Sequence, residues 1–477
     1  MSASDALSAR LDSAQSVSAT REAVSEARAW IVGGAIRDAA LGEPVRDLDL
    51  ALPPGDEKQV ARAIAKRAGG YAFPLSERHA TWRAVAADDA WHVDVSGLRG
   101  ETITDDLRAR DFAINAVALP LAGGEPVDPT GGLGDAERRL LRAVSERSFK
   151  DDPLRLLRAA RLASRHDLTL EPGTVRLARA AVAHAADPAP ERQFAELRGM
   201  LTGRDPIRAL AVMDELGVTA AVLPELDGLR GVVQTPNHHL DVHGHTLAVL
   251  EQLLEIEAEL PPFAGDAAGK MADLLAEPVA DEMTRGGALR FGALLHDVGK
   301  PATRAMRGEH VTFIGHDRVG AELIASICRR LHTSTRLSDH LQGLALHHLR
   351  LGFLVPERPL PRRTVYAYLR ATEPVGADVT LLTAADRLAA RGEGPIASDE
   401  MIEAHLELVR EMLPEALAWH RQPPRPPLNG DELAAEIGLT PGPKMGEILE
   451  ELRAASFAGE LSDREAAARR ARELAAG

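Results

Sequence analysis

The sequence contains little of what stabilises secreted proteins or anchors membrane proteins. Cys328 is the single cysteine among 477 residues, which excludes an internal disulfide and a cysteine zinc site and favours the reducing cytoplasm as the location. No stretch of about 18 uncharged apolar residues occurs, so no membrane span or membrane partner is expected. The first 27 residues also lack the apolar core of a secretion signal, and we expect them to form a flexible leader.

Aromatic residues are scarce, and acidic residues outnumber basic ones. Aromatic side chains make up 3% of the chain and apolar residues 45%, which indicates helices packed through aliphatic side chains. A length of 477 residues is too great for one hydrophobic core and predicts about two to four domains. The net charge of −15 argues against strong non-specific binding of nucleic acid, although it leaves room for a local basic groove.

The most informative segment combines a glycine turn with two spaced carboxylates. Gly33 and Gly34 follow a short apolar pair and open a predicted helix that carries Arg37. Glycines at a helix start let a phosphate approach the backbone amides, and Arg37 can add a charge-assisted contact. Asp47 and Asp49 lie on the next predicted strand, where residues two apart point to the same side, and converging carboxylates suit Mg²⁺. This arrangement indicates attack on the α-phosphate of a nucleotide.

In this order and spacing the segment resembles the signature of the class II nucleotidyltransferases of the polymerase-β superfamily, the tRNA CCA-adding enzymes and bacterial poly(A) polymerases. The resemblance implies a head in which Asp47 and Asp49 are catalytic and hold Mg²⁺. It also implies that Gly33, Gly34 and Arg37 bind the triphosphate. CTP and ATP are then the expected substrates, and the tRNA 3′ end is the expected partner.

Downstream motifs follow the same family pattern. The segment from Arg110 to Ala116 resembles the family's Arg-Arg-Asp-Phe-Thr-Ile-Asn-Ala motif, with Ala109 in place of the first arginine. The resemblance implies that Asp111 and Asn115 contact the ribose and the primer end. The segment from Asp128 to Gly132 resembles the Asp-Pro-x-Gly-Gly turn that follows in the family.

The segment from Asp151 to Arg155 resembles the family's Glu-Asp-x-x-Arg motif, with aspartate at the first position. By this resemblance Asp152 and Arg155 read the incoming base, since arginine supplies only donors and ionised aspartate only acceptors. Arg158 continues the same helix and is assigned to nucleotide binding, while a solvated helix face is the structural alternative. The segment from Glu191 to Arg198 resembles the family's next helical motif.

The product is less well specified than the reaction. The segment from Arg99 to Asp105 lacks most of the flexible loop that family members adding the full CCA carry at this place. The resemblance associates loss of that loop with enzymes that add only CC. Full CCA addition is the commoner activity in the family and is kept as the first expectation, with CC addition as the second. Poly(A) synthesis is a further alternative, but the acidic net charge favours tRNA end addition because a processive polymerase needs more phosphate contacts.

A second group of chemistry-bearing residues begins after about residue 231. Histidines cluster at 238–245, and imidazole and carboxylate ligands on successive helices form a typical divalent-metal cage. One histidine of this cluster, then the adjacent pair His296-Asp297 and then Asp386 follow each other along the chain. This order resembles the HD phosphohydrolase superfamily. The resemblance implies a second divalent metal (Mg, Mn, Ni or Co) whose core ligands are His245, His296, Asp297 and Asp386. His316 and either His347 or His348 would complete a two-metal site.

The second site leaves an alternative function open. The chain could be a metal-dependent HD phosphohydrolase whose head merely binds RNA, although the Asp47 and Asp49 pair argues against this interpretation. The substrate and activity of the HD site are open, and so is the oligomeric state.

The motifs predict an α+β protein built from successive domains. These are a flexible leader at 1–27, a nucleotidyltransferase head at 28–145, a helical neck and body that binds RNA and nucleotide at 146–230, an HD domain at 231–400 and a helical tail at 401–477. Strands in the head are predicted at 29–33, 46–52, 81–86, 91–96 and 113–119. Asp94 is a candidate third carboxylate, with a solvent-facing strand residue as the alternative. The segment 251–285 is expected to form a loop or an added helix.

Overall fold

The structure is a computed structural model that describes residues 3–24, 27–76 and 80–476. Two compact units divide the chain, Met1–Val222 and Leu223–Gly477. The first unit contains the only sheet of more than two strands in the described part of the chain. The second unit is almost entirely helical. These features confirm the α+β prediction, and the domain boundaries given above stay a prediction.

The expected flexible leader is instead helical over its described residues. Helices α1 (Ala3–Asp12) and α2 (Gln15–Ala23) pack against the helices at Gly34–Leu41 and Glu57–Arg67. Leu7, Leu11 and Val17 are buried in the same hydrophobic cluster as the strands. Arg10 also donates a hydrogen bond of 2.8 Å to the carbonyl of Ala39. The prediction was wrong because apolar residues one helical turn apart give these helices a core-facing side.

The head is a six-stranded sheet in the order β3-β4-β5-β2-β1-β6. The strands are β1 (Trp30–Val32), β2 (Leu48–Leu52), β3 (Tyr71–Ser76), β4 (Thr81–Val85), β5 (His92–Gly97) and β6 (Ala118–Pro120). Only β2 and β5 pair in parallel; the other neighbours are antiparallel. Helices α3 (Gly34–Leu41) and α4 (Glu57–Arg67) contribute buried residues to the core beneath the sheet.

Four of the five predicted strands form near their expected positions, but the fifth is shorter. Residues Ala113–Asn115 form a turn of 3-10 helix, and β6 begins only at Ala118. Asp111 explains the difference, because its carboxylate accepts hydrogen bonds from Phe112 N and Asn115 Nδ2 and so holds the chain in a turn. Strand β3 was not predicted.

Short helices and a helical neck complete the first unit. The helices are α5 (Ile103–Arg108), α6 (Gly132–Glu137), α7 (Ser148–Asp151), α8 (Arg155–Arg165), α9 (Pro172–Ala181), α10 (Pro190–Leu201), α11 (Pro206–Leu216) and α12 (Thr219–Val222). Strands β7 (Leu140–Leu141) and β8 (Thr169–Leu170) form a small parallel pair. Helix α8 buries Leu156, Leu157 and Ala160 on one side, as its apolar spacing predicts, and packs against α10 and α11.

The second unit begins with a helical domain that carries the histidine-rich segments. Its helices are α13 (Pro224–Asp227), α14 (Val242–Ala258), α15 (Leu260–Ala264), α16 (Ala268–Ala276), α17 (Arg285–Leu295), α18 (Lys300–Thr303), α19 (His316–Arg330), α20 (Thr335–His347), α21 (Arg350–Leu354), α22 (Arg362–Ala371), α23 (Gly376–Ala389) and α24 (Asp399–Arg421). Two small hairpins pair β9 (Pro278–Ala280) with β10 (Met283–Thr284) and β11 (Ala305–Arg307) with β12 (His310–Thr312). The segment 251–285 continues α14 and then adds two short helices.

The C-terminal tail has a small hydrophobic core of its own. It consists of α25 (Gly430–Ile437), α26 (Pro443–Phe457) and α27 (Arg464–Ala476). Leu433, Ile448 and Leu452 are buried together with alanines of α27. Among the described helices of the whole chain, none has both the length and the apolar character needed to cross a membrane.

Candidate functional sites

The turn between β1 and α3 brings two glycines against a carboxylate. Gly33 has a φ of 70°, and a Cβ atom added there would lie 2.8 Å from Asp49 Oδ2 and 3.0 Å from Arg110 Nη1. The position therefore requires glycine both for its backbone angle and for its closeness to these side chains. The backbone N–H of Gly34 donates to the Asp49 carboxylate. The start of α3 thus faces Asp49 directly.

Asp49 belongs to a row of charged side chains on one side of the sheet. Asp49 on β2 stands opposite Asp94 on β5, and Asp94 stands opposite Arg83 on β4. Arg83 donates two hydrogen bonds of 2.7 Å to Asp94. Asp47, immediately before β2, lies 2.8 Å from Nδ1 of His92 on β5. We call these five residues the carboxylate face, because directly paired residues point to the same side of a sheet.

The carboxylate face offers carboxylate oxygens that a divalent cation could bind. The pKa of Asp49 is raised by burial and by the negative charge of Asp94, and Arg110 and the Gly34 amide only partly offset this. A hydrogen bond from His92 lowers the pKa of Asp47. Oxygen donors whose negative charge is incompletely compensated are the ligands that Mg²⁺ prefers.

The residues predicted to bind sugar and triphosphate are joined by hydrogen bonds. Arg37 donates to Asn115 Oδ1 at 3.1 Å, and Asn115 Nδ2 donates to Asp111 at 3.0 Å. Arg158 donates to the other oxygen of Asp111 at 3.3 Å. Burial alone would raise the pKa of Asp111, but Arg158 and Asn115 lower it below its usual value. Four predicted site residues therefore form one connected group.

The two residues predicted to read the base contact different parts of the protein. Arg155 donates to the backbone carbonyls of Ala109, Arg110 and Ser148 at 3.0–3.2 Å. Asp152 forms an ion pair of 2.8 Å with Arg192. The motif therefore fixes Arg155 against the backbone of the preceding motif and leaves Asp152 facing α10.

The connection between β5 and α5 is short. Strand β5 ends at Gly97 and α5 begins at Ile103. Thr102 and Asp105 form a capping box, in which each side chain accepts a hydrogen bond from the other's backbone N–H. A Cβ atom at Gly100 would lie 2.6 Å from Asp105 Cβ, so the chain passes close to the helix here.

In the second unit, the predicted HD residues converge. His245 Nε2 lies 2.9 Å from Asp386 Oδ1, and His296 Nε2 lies 4.0 Å from the same oxygen. Asp297 Oδ2 lies 3.3 Å from His296 Nε2. His245 on α14, His296 after α17 and Asp386 on α23 form one grouping of potential metal ligands.

A second grouping lies next to the first. It consists of Asp297, His316 and His348. Asp297 Oδ1 lies 3.4 Å from His316 Nε2 and 3.8 Å from His348 Nε2. Asp297 faces both groupings through different oxygens, which is the geometry of a carboxylate between two metals.

The histidine rings are held in the orientation that metal binding needs. Nδ1 of His296, His316 and His348 lies 2.8, 2.7 and 2.6 Å from the carbonyls of Ala293, Phe313 and Ala345. A proton on Nδ1 leaves the lone pair of Nε2 pointing into the cage. His296 Nε2 and Asp297 Oδ1 are buried without a hydrogen bond of good geometry. These buried polar atoms fit a pair of divalent cations.

The structure also separates the remaining histidines. His347 accepts a hydrogen bond from Arg350 at 2.8 Å and turns away from the cage, so His348 is the member of that pair that lies in the site. The ring of His238 packs edge-on against His245 with 4.7 Å between centroids, and burial lowers its pKa to about 3. Lys300 pairs with Asp297 at 2.6 Å.

A third grouping of potential ligands lies in the first unit. His166, at the end of α8, has Nδ1 2.9 Å from Glu43 Oε2 and Nε2 4.0 Å from Asp38 Oδ1. Arg37 already donates to Asp38 at 2.8 Å. Burial and the positive charge of Arg37 lower the pKa of His166 to about 3. This grouping therefore holds a neutral imidazole between two carboxylates.

Comparison with known proteins finds family matches along most of the chain. Three family descriptions match: "Poly A polymerase head domain" at residues 29–102 and 80–142, "Probable RNA and SrmB- binding site of polymerase A" at 167–229, and "HD domain" at 242–391. An A-adding tRNA nucleotidyltransferase of Deinococcus radiodurans is 39% identical over 440 residues, which are 91% of this chain and 92% of that protein. The chain belongs to the tRNA nucleotidyltransferase family.

Other members of the tRNA nucleotidyltransferase family differ in their named products. CC-adding enzymes of Thermus thermophilus and Geobacter sulfurreducens are 32% and 31% identical, each over 92% of this chain and 92% and 90% of their own. A Thermotoga maritima CCA-adding enzyme in complex with tRNA has the same fold, with a TM-score of 0.58, 21% identity and coverage of 96% of this chain and 93% of its own. These findings confirm the family resemblance and the prediction of a transferase with an HD domain.

Nucleotidyltransferase and HD families generally use divalent metals, and the chain has residue groups able to hold them. Several residues at these sites, including His92 beside Asp47, were not among the predicted site residues. Arg110 beside Gly33 could have been found as the arginine next to Asp111. Arg192, which pairs with Asp152, lies in a motif that was noted for its helix only. Arg83 pairs with Asp94, and Lys300 pairs with Asp297. No spacing in the sequence identifies either basic residue as part of a site.

Proposed function

We propose that this chain, acting in the cytoplasm, transfers C or A nucleotides from CTP or ATP to the 3′ end of tRNA without a nucleic-acid template. The carboxylate face beside the Gly33 turn is the observation that carries this proposal. It places Asp49 where a glycine backbone and Arg110 also meet. Family membership supplies the substrate class, since the relatives are named for tRNA.

Each predicted residue then has a role. Asp47 and Asp49 would hold Mg²⁺, which would supply Lewis acidity at the reacting phosphate. The amides at the start of α3 bind the triphosphate together with Arg37. Asp111 and Asn115 hold the sugar and keep Arg37 in place.

In this proposal, residues of the helical neck select the incoming base. Asp152 offers acceptors to the base, and Arg155 offers donors while it fixes the backbone at Ala109 and Arg110. Arg158 anchors Asp111 to α8 and so links the sugar site to the base site. The Arg192 contact with Asp152 is supporting, because it sets the direction of that carboxylate.

The proposed product is a partial CCA end. The short, capped connection between β5 and α5 supports CC addition, because a pocket that must change from C to A as the RNA grows needs a movable segment. Addition of the terminal A alone is a second candidate, favoured by the 39% identity to the A-adding Deinococcus enzyme.

One assay decides between these products. Unmodified tRNA transcripts that end before CCA, after C and after CC are each incubated with labelled CTP, with labelled ATP, and with both. CC addition predicts two added C residues and little A on the CC-ending transcript. Terminal A addition predicts A on the CC-ending transcript and no C on the others. Rapid completion of CCA from the shortest transcript would contradict partial addition, and absence of transfer in every arm would contradict the proposed transferase.

We further propose that the HD site is a divalent-metal phosphohydrolase that takes phosphate esters such as 2′,3′-cyclic or 2′-phosphates. The Nε2 atoms aimed at both oxygens of Asp297 support two metals there, chosen from Mg, Mn, Ni and Co. The test measures hydrolysis of these phosphates with each metal in the wild type and in Asp297→Asn. Activity with at least one metal that disappears in the variant is expected. Hydrolysis with none of the metals would leave the HD domain a structural role.

A further inference from the structure

The edge strand β3 exposes a row of large apolar side chains. Tyr71 is 56% exposed, Phe73 is 37% exposed and Leu75 is 45% exposed. The rings of Tyr71 and Phe73 stack, with 6.0 Å between centroids and 22° between planes. We call this stacked pair the aromatic platform. Two neighbouring exposed aromatic rings on one strand are notable in a chain that contains only 3% aromatic residues.

The aromatic platform lies on the same side of the sheet as the carboxylate face. Phe73 stands opposite Arg83, Arg83 opposite Asp94, and Asp94 opposite Asp49. Directly paired residues across neighbouring strands share one side, and Tyr71 shares it because it is two residues from Phe73.

Trp82 shows where the other side of the sheet lies. It adjoins Arg83 in β4 and therefore points the opposite way. Its ring contacts Lys58 and Arg62 of α4, at 5.4 and 5.8 Å from the centroid. Helix α4 thus covers the side away from the platform. At about 4.8 Å per strand, three strand spacings place the platform roughly 14 Å from Asp49 along the open side.

The geometry points to an RNA base as the occupant: we propose that the aromatic platform stacks an unpaired nucleotide of the RNA whose 3′ end reaches Asp49. This inference rests on the proposed transferase function. Stacking on aromatic rings suits single-stranded RNA of any sequence, because every base has a flat face. The platform lies beside the reacting groups on a continuous sheet surface, and the distance is one that a few unpaired nucleotides cover.

A second copy of the chain fits the edge less well. Pro74 lies between Phe73 and Leu75 and has no backbone N–H to donate to an added strand. A proline on an edge strand is a device that blocks strand pairing. Self-association through β3 is therefore an outcome that the test must separate from RNA binding.

The test compares Tyr71→Ala and Phe73→Ala with Tyr71→Phe and with Phe353→Ala. Phe353 is 71% exposed in the second unit and serves as the matched control. Steady-state assays on tRNA lacking its CCA end give KM for tRNA, KM for the nucleotide and kcat. The two alanine variants at the platform are expected to raise KM for tRNA about tenfold, the scale of one base–aromatic stack, with the other constants within about twofold. Tyr71→Phe and Phe353→Ala are expected to match the wild type.

A binding measurement separates this inference from the proposed reaction. Fluorescence anisotropy records binding of labelled tRNA lacking its CCA end, with Asp49→Asn as the background so that no transfer occurs. Weaker binding on adding Tyr71→Ala supports the platform even where no transfer is found in the wild type. Unchanged tRNA binding and unchanged KM overturn it. A change in oligomeric state by light scattering, with unchanged tRNA binding, overturns the inference and indicates a protein interface instead. Equal rises in the KM values for tRNA and for the nucleotide also overturn it, because they indicate general damage to the head.

Discussion

At the scale of single residues, the head depends on a position where no side chain fits. Gly33 has the backbone angle of a glycine, and its missing Cβ leaves room for Asp49 and Arg110. Sequence alone marked Gly33 as a turn residue. It could not show that the turn lies against Asp49, since that contact depends on how β1 and β2 pair.

We expect Gly33→Ala to lower kcat/KM for nucleotide transfer by about 100-fold, because displacement of a reacting group by an ångström has effects of that size. The strained backbone should also cost about 1–3 kcal/mol of stability. Gly123→Ala is the matched control, since Gly123 has a φ of 92° and nothing within 4 Å of an added Cβ. It should lose similar stability and keep its activity. Equal kinetic losses in both variants would show that closeness to Asp49 is unimportant.

His166 gives a pH prediction at the same scale. Its pKa is about 3 in the folded chain because of burial and nearby arginines, against about 6.5 when unfolded. Between these values only the unfolded state takes up the proton, so stability falls as pH falls below about 6.5. From pH 7 to pH 5 the loss attributable to His166 should be about 2 kcal/mol.

Denaturant unfolding at pH 7 and pH 5 checks this expectation. His166→Gln cannot take up a proton and should reduce the pH dependence by that amount. Glu43 and Asp38, which face the two ring nitrogens, stay in place in this variant. An unchanged pH dependence in His166→Gln would rule out the buried neutral imidazole as its source.

At the scale of elements, local pattern predicted the strands whose two sides differ most. Strand β5 alternates buried and less buried residues, β4 buries Ala84 between less buried neighbours, and both strands form within a residue or two of their predicted positions. Strand β3 was missed because Pro74 and its exposed side chains conceal the alternation. Strand β6 begins later than predicted, because the hydrogen bonds that Asp111 accepts hold the preceding residues in a turn. The HD ligands were predicted by resemblance, whereas the choice of His348 over His347 required the helix orientation.

Helix α8 carries a prediction about base choice. Arg155 donates to three backbone carbonyls through its planar guanidinium group. Lysine has a single ammonium group and cannot reproduce this arrangement of N–H donors. Loss of one such charge-assisted contact is worth about 1.5–3 kcal/mol, so Arg155→Lys should raise KM for the preferred nucleotide by about tenfold or more. Incorporation of UTP and GTP should rise relative to CTP and ATP. Arg165→Lys, an exposed change in the last turn of the same helix, should alter neither quantity in competition assays.

At the scale of the whole molecule, two candidate metal centres, the carboxylate face and the HD groupings, lie in two separate units of one acidic chain. The net charge of −15 gives no general attraction for RNA, so recognition must come from local groups. Each unit is compact through its own internal contacts. Each centre should therefore be removable without loss of the other.

Metal binding offers a measurement of that independence. A divalent ion at 100 times its dissociation constant should stabilise the folded protein by about 2.7 kcal/mol. We expect Mn²⁺ to raise the melting temperature of the wild type and of Asp49→Asn, and to have a smaller effect on His296→Ala. His296→Ala should keep nucleotide transfer near the wild-type rate. Loss of transfer in His296→Ala with an unchanged melting curve would show that the centres are coupled.

The parallel pairing of β2 with β5 has a consequence for how the chain can vary. Parallel neighbours need a long crossover, and here the crossover consists of α4 and the β3–β4 hairpin. Insertions or deletions between residues 53 and 91 change the length of this crossover. The hydrogen-bonded pairing of β2 with β5 still keeps Asp49 opposite Asp94. Divergence can thus remodel the outer edge of the head, including Tyr71 and Phe73, and leave the reacting groups in register.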